Sequence, residues 1–580
     1  MMDTINEAEA NLNYDSCSDY SSSPPAVDIR QLARQGIYVL LNDGGVLNAQ
    51  MLFQKYKKGN VLLSAGASLV DFIAAAMSFE DEKMEIAQQS LKVTIKMCDI
   101  DSCFEGMIHK RPSHTWSTAE RIERMIIWAD CELFLAFIMF LKQGVVDFIK
   151  AGFHMRKAWK MYEKCYLELY GCEMNSKISK KNNCSTPSSL SNEEAKQLTE
   201  SFSFGYGLVQ IALSVVPATL LKFCEVFGFH VNKEVGLSSL LISSNSNDMK
   251  SPIARLTLLW YHTIVCPFCN VDGENLEKSL KEAAEVLKGS EEQFPTSTIF
   301  IYFRALLCRL RGNLEESLNL LSRTVSTNTE QKEIILLCCY DKGWCHLLKM
   351  EWNESFICFS KLQQESKWSE AYYAYLLALT SGALNKLGEA YALLKSVPKK
   401  VVRKTQLEVY LTRKCHLYKN SPPDQVEYIV LIFELLYLWN SLPQCTEDGL
   451  RALMAELGKC HHSHMYPIKY LILGAIYNKL CERAKALMFL EQASVQCKTK
   501  PIDAYVVPFA MYEMALIYAK DEKTWQLSKE MLCKVKDTFK NYDFENRLLF
   551  RIHAVLNTLE DKEAIRLAQL KLTSPNFEGV

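Results

Sequence analysis

Apolar residues recur along most of the chain at the three- and four-residue intervals of amphipathic helices. The clearest case is Leu473-Gly474-Ala475-Ile476-Tyr477, where Ala486 follows twelve residues after Gly474, then Leu490 four later and Ala493 three later. Small residues at this spacing allow the two helices of a hairpin to touch, and the large ones fill the groove of the next hairpin. The pattern therefore predicts helical hairpins.

The same spacing occurs at several other places in the chain. Further copies begin at Ala75, Ala305, Gly343 and Ala378, with degenerate ones at Ile37 and near Ala515. Neighbouring copies lie 35 to 38 residues apart, close to the roughly 34-residue tetratricopeptide unit. Because such units stack on their neighbours, we predict an all-α fold, a tetratricopeptide-repeat-like superhelix of helical hairpins, or α-solenoid.

Stretches rich in Ser, Asn, Lys and Pro interrupt this periodicity and suggest boundaries. We predict a disordered N-terminal tail (1–26), N-terminal helical repeats (27–171), a flexible linker (172–197), irregular helical hairpins (198–294), a tetratricopeptide repeat array (295–556) and a C-terminal helix and tail (557–580).

Composition supports the helical interpretation and narrows the class of partner. The 580 residues include only 23 Gly and 16 Pro, fewer than the many turns of a β-sandwich would need. The 66 Lys and Arg balance 67 Asp and Glu, so no overall field attracts nucleic acid or an anionic membrane. We therefore predict a protein or peptide partner and no nucleic acid.

The cysteine content is high, but its context does not favour a disulfide framework. There are 21 Cys in a long chain, whereas disulfide scaffolds are short secreted domains. The first residues, Met-Met-Asp-Thr-Ile-Asn-Glu, show neither a basic nor an apolar leader segment. We predict a cytoplasmic protein whose thiols are reduced and fill space between helices.

Two motifs contain residue types that bind metals. Cys266-Pro267-Phe268-Cys269 is a C-x-x-C without a second pair at zinc-site spacing. We expect buried or half-buried thiols with Pro267 ending a helix, and a redox or metal role is the alternative. Cys460-His461-His462-Ser463-His464 is denser in ligands, but structural zinc sites draw ligands from two separated turns. With no acidic cluster nearby in sequence to complete it, we expect an exposed loop, with metal binding as the alternative.

Motifs of common enzyme classes are absent from the sequence. It contains no phosphate-binding Gly-x-x-x-x-Gly-Lys-Ser/Thr, no Gly-x-Ser-x-Gly and no His-Glu-x-x-His. A hydrolase built on a Cys and His pair stays open, because 21 Cys and 11 His offer many pairings. We predict no enzyme, with no catalytic, cofactor-binding or metal-binding residues and no cofactor.

Two apolar stretches raise the question of membrane contact. Residues 201–221 carry no charge and residues 133–141 are all apolar. The first stretch is interrupted by polar residues and by Pro217, which favours a buried hairpin over a membrane span. Peripheral contact of the 204–229 region with lipid is the alternative function that we retain.

Two local clusters are candidates for a binding surface. The run 399–404, with Arg413 and Lys414, forms a positive patch that we expect to be a solvated face. Tyr372 and Tyr375 share one side of a helix and Tyr373 points elsewhere. We expect one subset of these tyrosines to pack and the other to reach the groove, the alternative being that all three are core.

Several segments of the chain also resemble one known family. They are Leu62-Leu63-Ser64-Ala65-Gly66-Ala67-Ser68, Phe202-Ser203-Phe204-Gly205-Tyr206-Gly207, Leu258-Leu259-Trp260-Tyr261-His262-Thr263, Trp368-Ser369-Glu370-Ala371-Tyr372-Tyr373-Ala374-Tyr375 and Tyr542-Asp543-Phe544-Glu545-Asn546-Arg547. These resemble the tetratricopeptide repeat protein 39 family, which is related to the fungal inclusion-body-clearance proteins. Lys157-Ala158-Trp159-Lys160 and Gly343-Trp344-Cys345 are similar to its C-type branch.

The resemblance implies an all-helical repeat array with no assigned catalytic centre, cofactor or shared ligand, and for the C-type branch a role in cilium assembly. Together with the repeats, it predicts a non-enzymatic cytoplasmic scaffold that binds a protein partner through its solenoid groove. The identity of the partner and the oligomeric state stay open.

Overall fold

The computed structural model describes residues 28–100, 116–142, 145–172, 189–214, 229, 231–269, 273–326, 332–402, 405–496 and 503–573. The predicted tail 1–26 and most of the predicted linker 172–197 lie outside these residues. The division of the chain into units therefore stays a prediction.

The described residues form helices joined mainly by short turns, with no strand among them. The first ten are α1 (Ile29–Val39), α2 (Gly45–Gln54), α3 (Val61–Ser78), α4 (Asp81–Cys98), α5 (Thr118–Lys142), α6 (Val145–Tyr170), α7 (Asn192–Ser214), α8 (Lys233–Ser244), α9 (Ser251–Trp260) and α10 (Cys266–Cys269). They are followed by α11 (Gly273–Gln293), α12 (Thr298–Leu310), α13 (Leu314–Ser326), α14 (Lys332–Leu348), α15 (Trp352–Glu365), α16 (Glu370–Ala383), α17 (Leu387–Ser396) and α18 (Gln406–Leu417). The last are α19 (Gln425–Leu438), α20 (Glu447–Gly458), α21 (Tyr466–Lys479), α22 (Arg483–Gln496), α23 (Val506–Tyr518), α24 (Trp525–Thr538) and α25 (Glu545–Thr573).

Consecutive helices pack as antiparallel hairpins, and the predicted small residues lie where they touch. In the α21–α22 hairpin, a Cβ atom added to Gly474 would lie 2.5 Å from the side chain of Leu490 and 3.4 Å from the carbonyl oxygen of Ala486. Ala486, Leu490 and Ala493 are fully buried. The predicted all-α fold of stacked hairpins is confirmed.

In other hairpins a serine takes the place of the second small residue. Its hydroxyl donates to the carbonyl of the small residue on the facing helix: Ser317 to Ala305 (2.8 Å), Ser355 to Gly343 (3.1 Å) and Ser528 to Ala515 (2.8 Å). A buried hydroxyl costs free energy unless it is hydrogen-bonded. The bond therefore permits a small polar residue at the closest point between two helices.

The apolar core consists of two clusters that meet on α14, one extending from Ala33 to Cys345 and the other from Cys339 to Leu559. Tyr372, Tyr373 and Tyr375 all belong to the second cluster and are at most 5% exposed. Tyr372 and Tyr375 are fully buried, because α16 packs between α15, α17 and α19, whereas Tyr373 is also largely buried but lines the inner cavity described below.

A buried ion pair joins helices that are distant in sequence. Lys250 Nζ lies 2.8 Å from Asp130 Oδ2, and the Tyr162 hydroxyl donates to Asp130 Oδ1 at 2.6 Å. A Cβ atom on Gly205 would lie 2.0 Å from the same Asp130 oxygen. Because Gly205 has no side chain, Asp130 of α5, Tyr162 of α6 and Lys250 just before α9 have the space to make these contacts.

A second network takes Arg413 and Lys414 out of the predicted positive patch, whereas Lys399 of that patch is exposed as expected. Lys414 is buried, and its Nζ lies 2.7 Å from Glu434 and 2.9 Å from Asp503. Arg413 pairs with Asp543 at 2.5 Å. Both cations therefore pair with the carboxylates of Glu434, Asp503 and Asp543 and do not form a free positive face. Residues 403 and 404 of the predicted patch lie outside the described residues.

The apolar stretches lie in the protein interior where the structure describes them. Residues 133–141 belong to α5, and residues 204–214 belong to α7, and both stretches are largely buried. Residues 215–228, the rest of the candidate lipid-contact region, lie outside the described residues. Among the described helices, α3 alone is long and apolar enough to cross a membrane, and half of that helix is buried against its neighbours.

The C-terminal helix returns to the middle of the chain. Arg551 Nε donates to the carbonyl oxygen of Phe268 at 3.1 Å, and the guanidinium of Arg547 lies 4.0 Å from the centre of the Phe268 ring. Arg547 also donates to the carbonyl oxygen of Leu438 at 2.7 Å. The superhelix is therefore closed at this point, and part of its inner face becomes the wall of a cavity.

The segment around the C-x-x-C motif contains a wide helical turn. Between α9 and α10 the chain forms a π-helical turn at Tyr261–Val265, in which the Cys266 N–H donates to the Tyr261 carbonyl. The expectation that Pro267 ends the helix is wrong. The π turn changes the hydrogen-bond register just before Pro267, so the missing N–H of the proline is tolerated at the start of α10.

This turn buries His262. Its Nδ1 has no hydrogen bond among the described residues and lies 3.5 Å from the half-exposed carboxylate of Glu282. Burial, with the nearby charge of Lys278 as a second cause, lowers the pKa of His262 to about 4. The imidazole is therefore neutral in the folded protein at neutral pH.

We expect Gly474→Ala to lower the free energy of unfolding by about 1–3 kcal/mol, because the new methyl group collides with Leu490 in a packed interface. Gly289→Ala is the matched control: Gly289 lies inside α11, and a Cβ atom there meets nothing within 4 Å. Alanine should stabilise that position by about 0.5–1 kcal/mol through its higher helix propensity. Chemical denaturation of the two variants measures both changes, and equal effects would contradict the proposed contact.

We expect the buried imidazole of His262 to make folding weaker in acid. Its pKa in the folded state, about 4, lies below the value of 6.5 for a free histidine, so the unfolded chain binds the proton first as the pH falls. The contribution of the neutral imidazole to the free energy of unfolding is present above pH 6.5, and it decreases by about 2 kcal/mol between pH 7 and pH 5. Relative to the wild type, His262→Asn should flatten the pH dependence of the unfolding free energy between pH 7 and pH 5, and an unchanged slope would contradict this role of His262.

Candidate functional site

A cavity of about 440 Å³ lies on the inner face of the superhelix. Its wall is built by the first helices of successive hairpins, α12, α14 and the start of α16, which face the turn after α3, the α9–α10 segment and the turn after α19. In a tetratricopeptide array the first helix of each pair lines the concave side. The cavity therefore occupies the place that the sequence predicts for a binding groove, but it is narrower than an open groove.

The floor of the cavity is aromatic. Tyr340 stacks on Trp344 with ring centres 5.8 Å apart, and Trp344 packs against Trp439 at 6.1 Å. The indole N–H of Trp344 donates to the hydroxyl of Ser441 at 2.9 Å, which fixes the ring. Phe268 completes this surface from the opposite side. Rigid aromatic rings offer a large contact area at a low cost in conformational entropy.

One charged pair lies among these rings. Arg309 Nη2 lies 3.0 Å from Asp341 Oδ1, and Arg309 Nη1 donates to Gln444 Oε1 at 3.0 Å. The Tyr302 hydroxyl donates to the other oxygen of Asp341 at 2.8 Å. Burial alone lowers the pKa of Arg309, but the adjacent carboxylate outweighs it and the pKa lies above its ordinary value, so the guanidinium keeps its charge.

Within this network one donor is unused. The Nε atom of Arg309 is buried and has no hydrogen-bond partner among the described residues. An unpaired buried donor costs about 1–3 kcal/mol.

The mouth of the cavity is apolar. Ile264, Leu337 and Trp368 are 39%, 36% and 40% exposed, and all three line the cavity. Paired charges surround them: Lys332 lies 3.9 Å from Glu365, and Lys83 lies 3.1 Å from Glu333. Because the charges largely cancel, the mouth selects an apolar group rather than an ion.

The arrangement is suited to binding and carries no evident catalytic group. No Cys or His is present among the described residues that line the cavity, and its one buried carboxylate, Asp341, is held by Arg309 and Tyr302. A nucleophile next to a general base, which acyl-transfer chemistry requires, is not formed there.

The C-x-x-C region lines a different cavity, of about 560 Å³, between α8, α9 and α11. It contains His262 and Cys266, the kind of pairing left open for a hydrolase. Burial raises the pKa of Cys266, and burial lowers the pKa of His262 to about 4. A catalytic thiolate and imidazolium pair needs the opposite shifts, and the side chain of Cys269 lies outside the described residues.

Most described thiols are buried between helices, as expected. Of the 14 free cysteines that the structure describes, 11 are buried, and Cys481 and Cys533 are exposed. Cys172 is bonded in a disulfide, so the expectation that every thiol is reduced is wrong at that position.

The Cys460–His464 motif also differs from its prediction. Cys460 is fully buried, so the segment is not a wholly exposed loop. Asp424 and Glu427, at the start of α19, lie against His462 and His464. The expectation that no carboxylate completes this cluster is wrong, because the two acids come from a turn about 38 residues earlier in the chain.

Most of the cavity residues carry no local signal in the sequence. Trp344 and Tyr373 were noted for other reasons, and the repeat pattern could have placed Arg309 and Asp341 on first helices facing inward. No local signal marks Phe268 or Trp439, because α25 and the turns that they contact lie far away in the sequence.

Solved structures of helical-repeat proteins are similar to the chain along most of its length. They include the APC/C hetero-tetramer Cut9–Hcn1 (12% identity, 91% of this chain and 97% of that chain, TM-score 0.23), the human IFIT1 dimer with PPP-AAAA (13%, 82% and 96%, 0.29) and yeast Tom70 (10%, 94% and 99%, 0.25). At TM-scores of this size the paths of the chains differ, so the family assignment does not depend on them.

The assignment rests on the sequence family. The family model for Iml2/Tetratricopeptide repeat protein 39 matches residues 34–480, from α1 to the end of α21. This match includes the hairpins from which the cavity wall is built, and it confirms the family predicted from the sequence. The chain belongs to the Iml2/Tetratricopeptide repeat protein 39 family.

Proposed function

We propose that this chain is a non-enzymatic scaffold that binds a segment of a partner protein in the inner cavity formed by α12, α14 and α16. The observation that carries the proposal is the exposed apolar mouth, Ile264, Leu337 and Trp368, above the aromatic floor around Trp344. Exposed apolar residues gathered at a concave surface, rather than scattered singly, mark interaction sites.

The shape of the cavity suggests how the partner is held. A volume of about 440 Å³ accommodates large side chains but not a folded domain, so the partner inserts an anchor while the rest of its segment lies across the mouth. An apolar or aromatic anchor packs on Tyr340 and Trp344. Anchors of this kind supply most of the affinity in protein interfaces.

The cytoplasmic location and the role in cilium assembly are parts of the same proposal. The location is proposed from the many thiols that lie buried between helices, and the role in cilium assembly from the resemblance to the C-type branch. The alternative, a peripheral lipid-binding role of the 204–229 region, stays a prediction; its described portion, 204–214, is largely buried in α7.

We expect Leu337→Glu to weaken partner binding at least tenfold, because a charge placed at the mouth removes about 1.5–3 kcal/mol of apolar contact and must be desolvated. The matched control is Ile357→Glu. Ile357 is an apolar residue of the neighbouring helix α15, is 55% exposed, and does not line the cavity. Affinity capture with the full chain, followed by titration of the recovered partner segment, compares the two variants.

A photo-crosslinking residue at each of the two positions gives an independent readout. We expect the partner to be crosslinked from position 337 and not from position 357, and a peptide of the crosslinked segment should compete. Loss of binding in both Glu variants, or crosslinking from both positions, would show that the partner does not use the cavity.

A further inference from the structure

Four side chains from two separate turns meet on the surface of the array. Asp424 and Glu427 lie at the start of α19, and His462 and His464 lie in the turn before α21. His462 Nε2 is 2.8 Å from Asp424 Oδ2, and His464 Nε2 is 2.7 Å from Glu427 Oε1. The two imidazole rings lie 5.8 Å apart, centre to centre. Each histidine therefore directs a ring nitrogen at a carboxylate oxygen, and the two histidine–carboxylate pairs are neighbours.

The backbone of α19 holds both carboxylates in place. Asp424 is the N-cap residue, and its Oδ1 accepts from the Glu427 N–H at 2.9 Å. Glu427 Oε2 accepts in return from the Asp424 N–H at 2.8 Å, which completes a capping box. One oxygen of each carboxylate is thus fixed by the backbone, while the other, Asp424 Oδ2 or Glu427 Oε1, faces a histidine.

We infer that Asp424, Glu427, His462 and His464 form a binding site for Zn²⁺. Two carboxylates and two neutral imidazoles carry a total charge of −2, which a divalent cation neutralises. A set of two nitrogen and two oxygen donors matches the ligand types and coordination number of zinc, whereas Mg²⁺ and Ca²⁺ prefer oxygen donors alone.

The distances are compatible with closure around one ion. The ligand atoms of Asp424, Glu427 and His462 all lie within 4.8 Å of one another, and His464 already contacts Glu427. Zinc bonds to nitrogen and oxygen are about 2.0–2.2 Å long, so the three mutually close atoms draw in around the ion, and His464 turns from Glu427 toward the ion to complete the set of four. The ion replaces the two contacts between a histidine Nε2 and a carboxylate oxygen, and each imidazole then carries its proton on Nδ1.

The site is accessible, and backbone hydrogen bonds already orient its two carboxylates. Asp424, His462 and His464 side chains are 48%, 39% and 43% exposed, whereas Glu427 is 9% exposed. The capping-box hydrogen bonds would orient both carboxylates in the bound state, which is the role of outer-shell partners in protein zinc sites. The ion would join the connection before α19 to the turn before α21, and would so clamp neighbouring hairpins together.

The test uses the full chain, stripped of metal and kept reduced, titrated with Zn²⁺ alone and with Mg²⁺ as the comparison. We expect one high-affinity Zn²⁺ per chain and a rise in Tm on binding. His462→Ala combined with His464→Ala, and separately Asp424→Asn, should weaken Zn²⁺ binding at least tenfold. Asparagine is a good N-cap residue, so the second variant should keep the fold of α19.

The matched control is His461→Ala, which removes an imidazole from the same turn without touching the cluster. It should bind Zn²⁺ as the wild type does. Substitution with Co²⁺ separates this site from binding by cysteine: a site of nitrogen and oxygen ligands gives tetrahedral d–d bands without a thiolate-to-cobalt charge-transfer band. Zn²⁺ binding unchanged in the double His variant, a thiolate band, or no preference for Zn²⁺ over Mg²⁺ would overturn the inference.

Discussion

The close contact between the two helices of each hairpin is the constraint on which the rest of the structure depends. At Gly474 and Gly343 even a methyl group would collide with the facing helix, and at Ser317 and Ser355 the contact is close enough for a hydroxyl to reach the opposite backbone. Helices that touch in this way form flat units with an apolar face on each side, and each unit can bury those faces only against its neighbours. Stacking then places the first helices on the inner face, where the cavity lies.

Buried charges hold the stacked units at particular positions. Lys250 with Asp130, and Lys414 with Glu434 and Asp503, connect segments separated by as many as 120 residues. Such pairs contribute little net stability, because desolvation offsets their attraction, but breaking one leaves a buried charge unpaired at a cost of about 3–5 kcal/mol. Alternative stackings that separate these partners are therefore disfavoured. Arg547 and Arg551 of α25 act at the closure in a similar way, through the Phe268 ring and carbonyl.

The two candidate sites follow from this architecture in different ways. The cavity exists because α25 and the turn after α19 bring Trp439 and Phe268 against the first helices α12 and α14, so it depends on closure of the whole superhelix. The His and carboxylate cluster depends only on the packing of α19 beside the turn before α21. One site offers rigid apolar area with a single unused donor, and the other offers four oriented ligands. A partner segment and a metal ion could thus be held without competing for the same residues.

The helices and the hairpin register follow from local patterns in the sequence, because small residues at positions such as Gly474 and Ala486 contact each other across only 12 residues. The family could likewise be predicted from short segments of the chain. The sequence did not determine which charges are free: Arg413 and Lys414 form a positive run in sequence, yet their partners, such as Asp543, lie in other repeats. Nor could it show that Asp424 meets His462, or that Phe268 meets Arg547. Those contacts depend on how far each hairpin rotates on the next, and that rotation is the sum of many small packing differences across the interface. Only the tertiary structure decides it, and with it both candidate sites.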